Sequence, residues 1–462
     1  MIETPDVLVI GAGPAGLAAA AAARRAGSQV VLLDAATDAG GQYWRHLPAE
    51  RPAARERILH HGWSRFSELR AQDLLGNAQV WLVERHDDRP PIVHALIGPA
   101  DGTARRHRVF APRALVLATG AYDITLPFPG WDLPGVFTAG AAQALAKAER
   151  VAVGRRVVVA GAGPFLLPVA ASLVRTGTRV LGVLEAGGWP RLARAWTARP
   201  AELLGTRRKA GELAGYARDL IRHRIPYRAA TGVIAAHGDG RVEAVTVARL
   251  DPDWAPVPGT ERRIVADAVC VSHGFVPRAE LAVAAGCRLT PDGGVHTDAD
   301  GRTSVPGVFA AGEITGIGGA DLALAEGSVA GTVAAGGTPT EAQRRARRAF
   351  RNFAGRLEAA HGIRPGWTGW LTDDTLVCRC EDVTAGDLRA AAEATGSRGL
   401  RSLKLSTRAG LGACQGRVCG RTVEALLNRH TGGLLDPGRT ANRPVAAFVR
   451  IGELASHHEE NA

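Results

Sequence analysis

The pattern of apolar and polar positions contains two copies of one local arrangement. Residues 6–10, DVLVI, form a β-branched run of the kind that makes a strand buried on both faces of a parallel sheet. A glycine turn follows, and the Ala-rich stretch from about Pro14 to Arg25 predicts a helix that stops at Gly27. Val30–Asp34 gives the next strand and completes a βαβ unit. The arrangement recurs from residue 156, where RVVVAGAGPFLLPVAASLVRTGTRVLGVLEA supplies strand, glycine turn, helix and strand. Further buried strands are expected within 114–123 (ALVLATGAYD), 267–277 (DAVCVSHGFVP) and 303–316 (TSVPGVFAAGEITG). Residues 341–360 predict a basic amphipathic helix, read first as a solvated linker and second as a contact for a partner or a membrane surface. Pro365 and the glycines around Trp367 and Trp370 then punctuate a boundary.

The expected fold class is therefore α/β: two nested Rossmann-like dinucleotide-binding domains of the two-domain flavoprotein reductase type, followed by a small helical module. The expected division places an adenine-nucleotide-binding domain at 1–122 and 290–340, with an inserted NAD(P)-binding-like domain at 123–289. A linker helix and boundary take 341–373, a cysteine-bearing module 374–432, and a C-terminal tail packed on the body 433–462.

Composition narrows the class only a little. At 462 residues, 46% hydrophobic and 22% charged, the chain reads as a soluble enzyme long enough for several cores. No run approaches the roughly 20 apolar residues of a spanning helix. Glu3 and Asp6 stand where a secretory leader would be basic, and six cysteines are too few for a secreted disulfide scaffold. A cytoplasmic location is expected. The net charge of +11 comes almost wholly from arginine, since Lys147, Lys209 and Lys404 are the only lysines. An arginine-biased composition accounts for it, against a surface that docks an acidic partner or anionic lipid. No nucleic-acid module is present, and nucleic acid is not an expected partner.

Candidate chemistry begins at Gly11-Ala-Gly13-Pro14-Ala15-Gly16, a complete G-x-G-x-x-G between strand and helix. The first glycine permits the turn, the second lets a pyrophosphate approach, and the third lets helix and strand pack closely. The helix start offers amides and a positive dipole to the phosphates. Asp34 ends the next strand, where a carboxylate accepts from the adenosine ribose. Gly40-Gly41-Gln42 then lets backbone approach the flavin side of a cofactor. Gly120 closes a strand, and Gly312-Glu313 stands where flavoproteins carry Gly-Asp on the ribityl chain. Glu in place of Asp lengthens that reach by one methylene. Gly318-Gly319 open a helix whose dipole favours negative charge on a reduced flavin.

The second turn, Gly161-Ala-Gly163-Pro-Phe-Leu166, lacks the third glycine. Leu166 either forces the helix off the strand or takes the room of a nicotinamide nucleotide. Glu185 nevertheless keeps the ribose spacing. Both NAD(P) binding and a domain that has lost its ligand stay open, with the second favoured.

Cys378-Arg-Cys380 and Cys414-Gln-Gly-Arg-Val-Cys419 gather four thiols. They suit a 2Fe–2S cluster or a structural zinc, and C-x-C is cramped for a zinc knuckle. Cys270 and Cys287 read as structural. Neither glycine-turn domain carries the C-x-x-C or C-x₄-C pair that a disulfide reductase of this architecture needs. No catalytic base is identifiable.

IGAGPAG, GGQYWR, VLATGAYD, GAGPFLLPVA, AAGE and VCRCEDV…GACQGRVCG occur in that order over nearly the whole chain. Together they resemble the A (alpha) subunits of bacterial opine oxidase, hydrogen cyanide synthase, dye-linked L-proline dehydrogenase and D-hydroxyproline dehydrogenase. The middle of the alpha chain of heterotetrameric sarcosine oxidase is similar, and the cysteine module resembles the bacterioferritin-associated-ferredoxin-like (BFD-like) 2Fe–2S domain. The resemblance implies a hetero-oligomer in which a separate FAD-dependent beta subunit oxidises the amine and this chain relays electrons. It also implies room for a further small subunit, and for a dye- or quinone-linked acceptor at the inner face of the membrane. Carried over, Gly11, Gly13, Gly16 and Asp34 hold FAD or another adenine nucleotide, and Cys378, Cys380, Cys414 and Cys419 hold the cluster. Two other classes compete: a self-contained NAD(P)H-dependent flavin and iron–sulfur reductase, and a nucleotide-binding scaffold.

Overall fold

A computed structural model describes residues 2–47, 60–69, 74–87, 89–103, 105–431, 442 and 445–459. The chain divides into two compact units: Met1–Tyr122 with Val276–Ala354 and Ala441–Ala462, and Asp123–Phe275 with Gly355–Thr440.

In the first unit the β-branched runs pair as expected. Five parallel strands lie in the order Val308–Ala310, Ala114–Leu117, Val7–Ile10, Val30–Leu33, Leu74–Leu75. The three-residue strand Val308–Ala310 is all that forms of the strand expected within 303–316. The Pro14–Arg25 helix covers the sheet and meets the Gly319–Ala334 helix face to face. That approach needs glycine: a Cβ on Gly327 or Gly331 would stand 2.0 Å from the Ala15 carbonyl oxygen or 2.1 Å from that of Ala19. A second sheet runs Ile2–Glu3, Arg106–Phe110, Ile92–Ile97, Ala78–Glu84. The chain returns to this unit at Val276, earlier than the 290 expected from sequence, because Ala279, Ala282, Ala285 and Cys287 belong to its core.

In the second unit five parallel strands run Val136–Thr138, Ala268–Ser272, Arg156–Gly161, Arg179–Glu185, Tyr227–Arg228. An antiparallel sheet of Thr231–His237, Ala244–Arg249 and Arg262–Val265 adjoins them. Trp367 and Trp370, expected in a boundary, are buried in this unit's core beside Trp254, and Trp370 Nε1 donates to the Trp254 carbonyl at 2.9 Å. The cysteine module belongs to the same unit. It comprises the hairpin Leu376–Cys378/Val383–Thr384 and the helices Ala385–Thr395, Leu400–Thr407 and Gly420–Thr431. Trp131 Nε1 donates to the Leu376 carbonyl at 2.6 Å, and the Arg379 guanidinium lies over the Trp131 ring, which ties the hairpin down.

The basic helix runs Glu341–His361, and the division between the units falls within it. It is only partly solvated, because Arg344, Arg347, Arg351 and Arg356 are engaged with other elements while Arg345 and Arg348 stay exposed. Arg344 pairs with Asp300, and Arg347 and Arg351 both pair with the buried Glu326. Of the expected tail, only residue 442 and residues 445–459 are described. There the Ala446 amide donates to the Trp81 carbonyl, and Glu453 accepts two hydrogen bonds from Arg105 at 2.6 and 2.7 Å. Among the described residues no helix is long and apolar enough to cross a membrane.

Candidate functional site

The first glycine turn is tight at its first and third glycines and open at its second. A Cβ on Gly11 (φ +105°) would stand 2.3 Å from the Ala118 carbonyl oxygen, and one on Gly16 would stand 1.7 Å from that of Gly11. Gly13 precedes the helix with an ordinary φ of −75°, and Pro14 sits at its first turn, where the missing N–H costs nothing. A Cβ on Gly13 would meet only the Gly41 Cα, at 3.9 Å. The Gly40–Gly41 loop is held there by the Gly40 amide, which donates to the Ala12 carbonyl at 2.8 Å. Gly41 (φ +57°) also needs to be glycine, since its Cβ would be 2.9 Å from the Gly13 Cα. Gln42 is exposed and accepts from Arg45 Nε at 3.0 Å.

Asp34 is half-buried behind this turn. One carboxylate oxygen accepts from the Ala12 amide at 2.6 Å and the other from Ala36 at 2.7 Å. Burial lifts its pKa above the ordinary carboxylate range, against the pull of those two amides. Gly312 (φ +81°) lies against Ala15. The Gly312 amide donates to buried Glu326, which also accepts from the Thr315 hydroxyl and from Arg351. Glu313 uses its extra methylene to reach the start of the Gly319–Ala334 helix, accepting from the Gly319 amide at 3.3 Å. Gly120 (φ +78°) has open space around it, and its carbonyl accepts from Arg278. One unit thus gathers Gly11, Gly13, Pro14, Ala15, Gly16, Asp34, Gly41, Gln42, Gly120, Gly312 and Glu313.

The second turn is built differently. Its helix begins at Leu166, where the first unit's equivalent begins at the proline of the turn. Leu166 is buried in the core between helix and sheet, so the start of the helix is drawn back from the turn. Glu185 is fully buried and accepts from the Gly163 amide at 2.9 Å and the Gly187 amide at 2.8 Å. Its Oε2 also lies 3.3 Å from Nδ1 of His361, a residue that no sequence pattern marked.

The four cysteines meet pairwise within one module, and among the described residues no group of three or more His, Cys, Asp or Glu side chains is set to hold a metal ion. The Cys414 thiol meets those of Cys419 and Cys380, and the Cys419 thiol meets that of Cys378. The Cys419 hydrogen bond, supported by the amides of Val418 and Gly416, draws Cys414 down to about 4. Gly412 must lack a side chain, since its Cβ would stand 2.2 Å from the Cys380 Cβ. Four thiols with amides aimed at sulfur are the donor set of an iron–sulfur cluster. Cys270 and Cys287 are buried and lie in other cores, and burial raises the pKa of both thiols.

Residues 5–330 match the family model described as pyridine nucleotide-disulphide oxidoreductase, and residues 376–429 match the BFD-like [2Fe-2S] binding domain. The chain is 34% identical to the A subunit of opine oxidase from Agrobacterium tumefaciens (strain Ach5), over 97% of this chain and 91% of that one. It is 33% identical to the HcnB subunit of hydrogen cyanide synthase from Pseudomonas aeruginosa, over 97% and 99%. The crystal structure of L-proline dehydrogenase from P. horikoshii shares the fold with a TM-score of 0.66, at 20% identity, covering 98% of this chain and 80% of that one. The chain belongs to the pyridine nucleotide-disulphide oxidoreductase family, as an FAD/dinucleotide-binding oxidoreductase that also carries a BFD-like 2Fe–2S domain.

Proposed function

We propose that the chain is the electron-transfer (A or alpha) subunit of a heteromeric FAD-dependent amino-acid or opine dehydrogenase of the D-hydroxyproline, L-proline or opine class. A partner FAD-bearing beta subunit oxidises the CH–NH donor, and this chain passes the electrons to a dye- or quinone-linked acceptor. The observation that carries the reading is the pairing, in one chain, of a glycine turn with no side chain over Gly13 and four thiols that meet pairwise in one small module. Relatives named as subunits of opine oxidase and hydrogen cyanide synthase support the division of labour.

In this reading Gly11, Gly13, Gly16 and Asp34 hold the adenine nucleotide, FAD or another, while Gly41, Gln42, Gly312 and Glu313 line its far end. When bound, FAD takes up electrons in pairs and the 2Fe–2S cluster passes them singly. The chain's own part is to fix both groups. Asp34 holds the turn through the Ala12 amide and offers its remaining lone pairs to ribose. Trp131 and Arg379 hold the hairpin that carries Cys378 and Cys380.

The test is turnover of proline, hydroxyproline and an opine with a dye acceptor, by the chain alone and by the chain co-purified with the protein of its neighbouring reading frame. Turnover is expected only in the complex, with flavin and iron–sulfur absorbance on this chain. Full-rate turnover by the chain alone would overturn the proposal.

A further inference from the structure

A family named for pyridine nucleotides implies a nicotinamide dinucleotide on the second glycine turn, and the residues there do not fit one. The middle glycine of the first turn faces only the backbone of Gly41, at 3.9 Å from where its Cβ would stand, with no side chain beside it. Its counterpart Gly163 faces His361 instead, with the histidine Cβ at 3.9 Å and Cγ at 4.0 Å from where a Gly163 Cβ would stand. Glu185, at the ribose position, accepts from two backbone amides as Asp34 does, but unlike Asp34 it is fully buried and has the His361 ring against it. A carboxylate has about four lone-pair sites, and the ribose hydroxyls would have to compete for them inside a closed pocket.

The blocking helix end is bolted down at several points. The buried Arg356 donates to the carbonyls of Ala195, Ala198 and Arg199 and pairs with Glu202 at 3.1 Å. Arg191 Nε donates to the Ala359 carbonyl at 2.8 Å, and the Trp196 ring lies beside the His361 ring. The Ala360 carbonyl oxygen closes over Gly187, at 3.5 Å from where its Cβ would stand.

We infer that this chain has sealed its second dinucleotide cradle with the end of its own helix. His361 is the residue that decides that NAD(P)H is not taken as reductant. The inference concerns the second unit only and stands or falls separately from the proposed relay, whose readouts are cofactor absorbance and partner-dependent turnover.

Calorimetric titration of the full-length protein with NAD⁺, which binds without reducing flavin, and then with NADH provides the test. The wild-type protein is expected to give no saturable binding up to about 1 mM, the upper end of ordinary substrate affinities. H361A is expected to bind NAD⁺ at least about tenfold more tightly, and adding E185Q to H361A is expected to abolish that gain. H361N, which keeps a polar side chain beside Glu185 but removes much of the ring, carries the same expectation if alanine unfolds the helix end. Saturable wild-type binding that E185Q weakens would overturn the inference. So would a folded H361A or H361N protein, with a melting temperature near that of the wild type, that still binds nothing.

Discussion

The two glycine turns start from nearly the same sequence, GAGPAG and GAGPFL, and end in opposite states. In the first, Gly16 lets the helix press onto the turn, and only the backbone of Gly41 stands near Gly13. In the second, Leu166 fills the core where the third glycine was, the helix starts later, and His361 with Glu185 occupies the cradle. In both turns two backbone amides already satisfy the carboxylate, and what the second adds is the His361 ring against it, in the fully buried position.

The largest effect that separates the turns comes from paired alanines. Gly13→Ala adds a methyl at an unstrained φ, so the fold should survive while nucleotide affinity falls at least about a hundredfold, read as the nucleotide-to-protein ratio after purification. Gly163→Ala places alanine at φ +105°, which costs roughly 1–2 kcal/mol of stability and should leave bound nucleotide unchanged. Loss of nucleotide from the Gly163 variant would break the comparison.

The two acids should divide in the same way, with a somewhat smaller effect. Glu185→Gln leaves one buried amide without an acceptor at a cost of about 2 kcal/mol. By the usual scaling that lowers the melting temperature by roughly 4–8 °C. Asp34→Asn likewise leaves one amide without an acceptor, but at a half-buried position that water reaches, and should melt less far below the wild type while loosening the nucleotide. Equal melting losses in both variants would deny that the second carboxylate is structural.

A smaller, pH-dependent effect should come from His273, buried between Trp254 and Trp370 with its pKa pushed down to about 3 by burial. The folded pKa lies below the ordinary 6.5. Its neutral imidazole therefore contributes stability that is present above about pH 6.5 and is lost as pH falls toward 3. The slope is about 1.4 kcal/mol per pH unit in that window. Denaturant midpoints measured from pH 7 down to pH 5 should fall more steeply for the wild-type protein than for His273→Leu. Parallel curves would refute this. The smallest expected effect is that of Trp131→Phe, which removes one hydrogen bond to the cysteine hairpin at about 1 kcal/mol and should retain the cluster's absorbance.

Much of the first unit was legible in the sequence because its determinants are local. A β-branched run, a glycine at each tight point, Pro14 at the helix start and an acid at the end of the next strand all fall within 34 residues. Leu166 likewise marked the second turn as altered. What closes that turn was not legible, because His361 lies far along the chain on a helix whose arginines suggested solvent. The return to the first unit, expected at 290, comes at Val276, while the division between the units does fall within 341–373. Residues 279–287 and the two tryptophans join cores that no local pattern names. One signal was available, since Glu326 stands alone in the otherwise apolar run LALAEGSVAG and a buried carboxylate needs a cation from elsewhere.

Glu326 also bears on where this protein can be cut. The family match ends at residue 330, which invites a fragment that stops there or at 340. Such a fragment would keep the carboxylate beneath Gly312 and Thr315 but discard Arg347 and Arg351, its counter-ions within the same unit. A motif search marks where the ligand-handling residues end. The smallest piece that keeps every buried charge of this unit with its partner must also reach Glu453, which holds the buried side chain of Arg105.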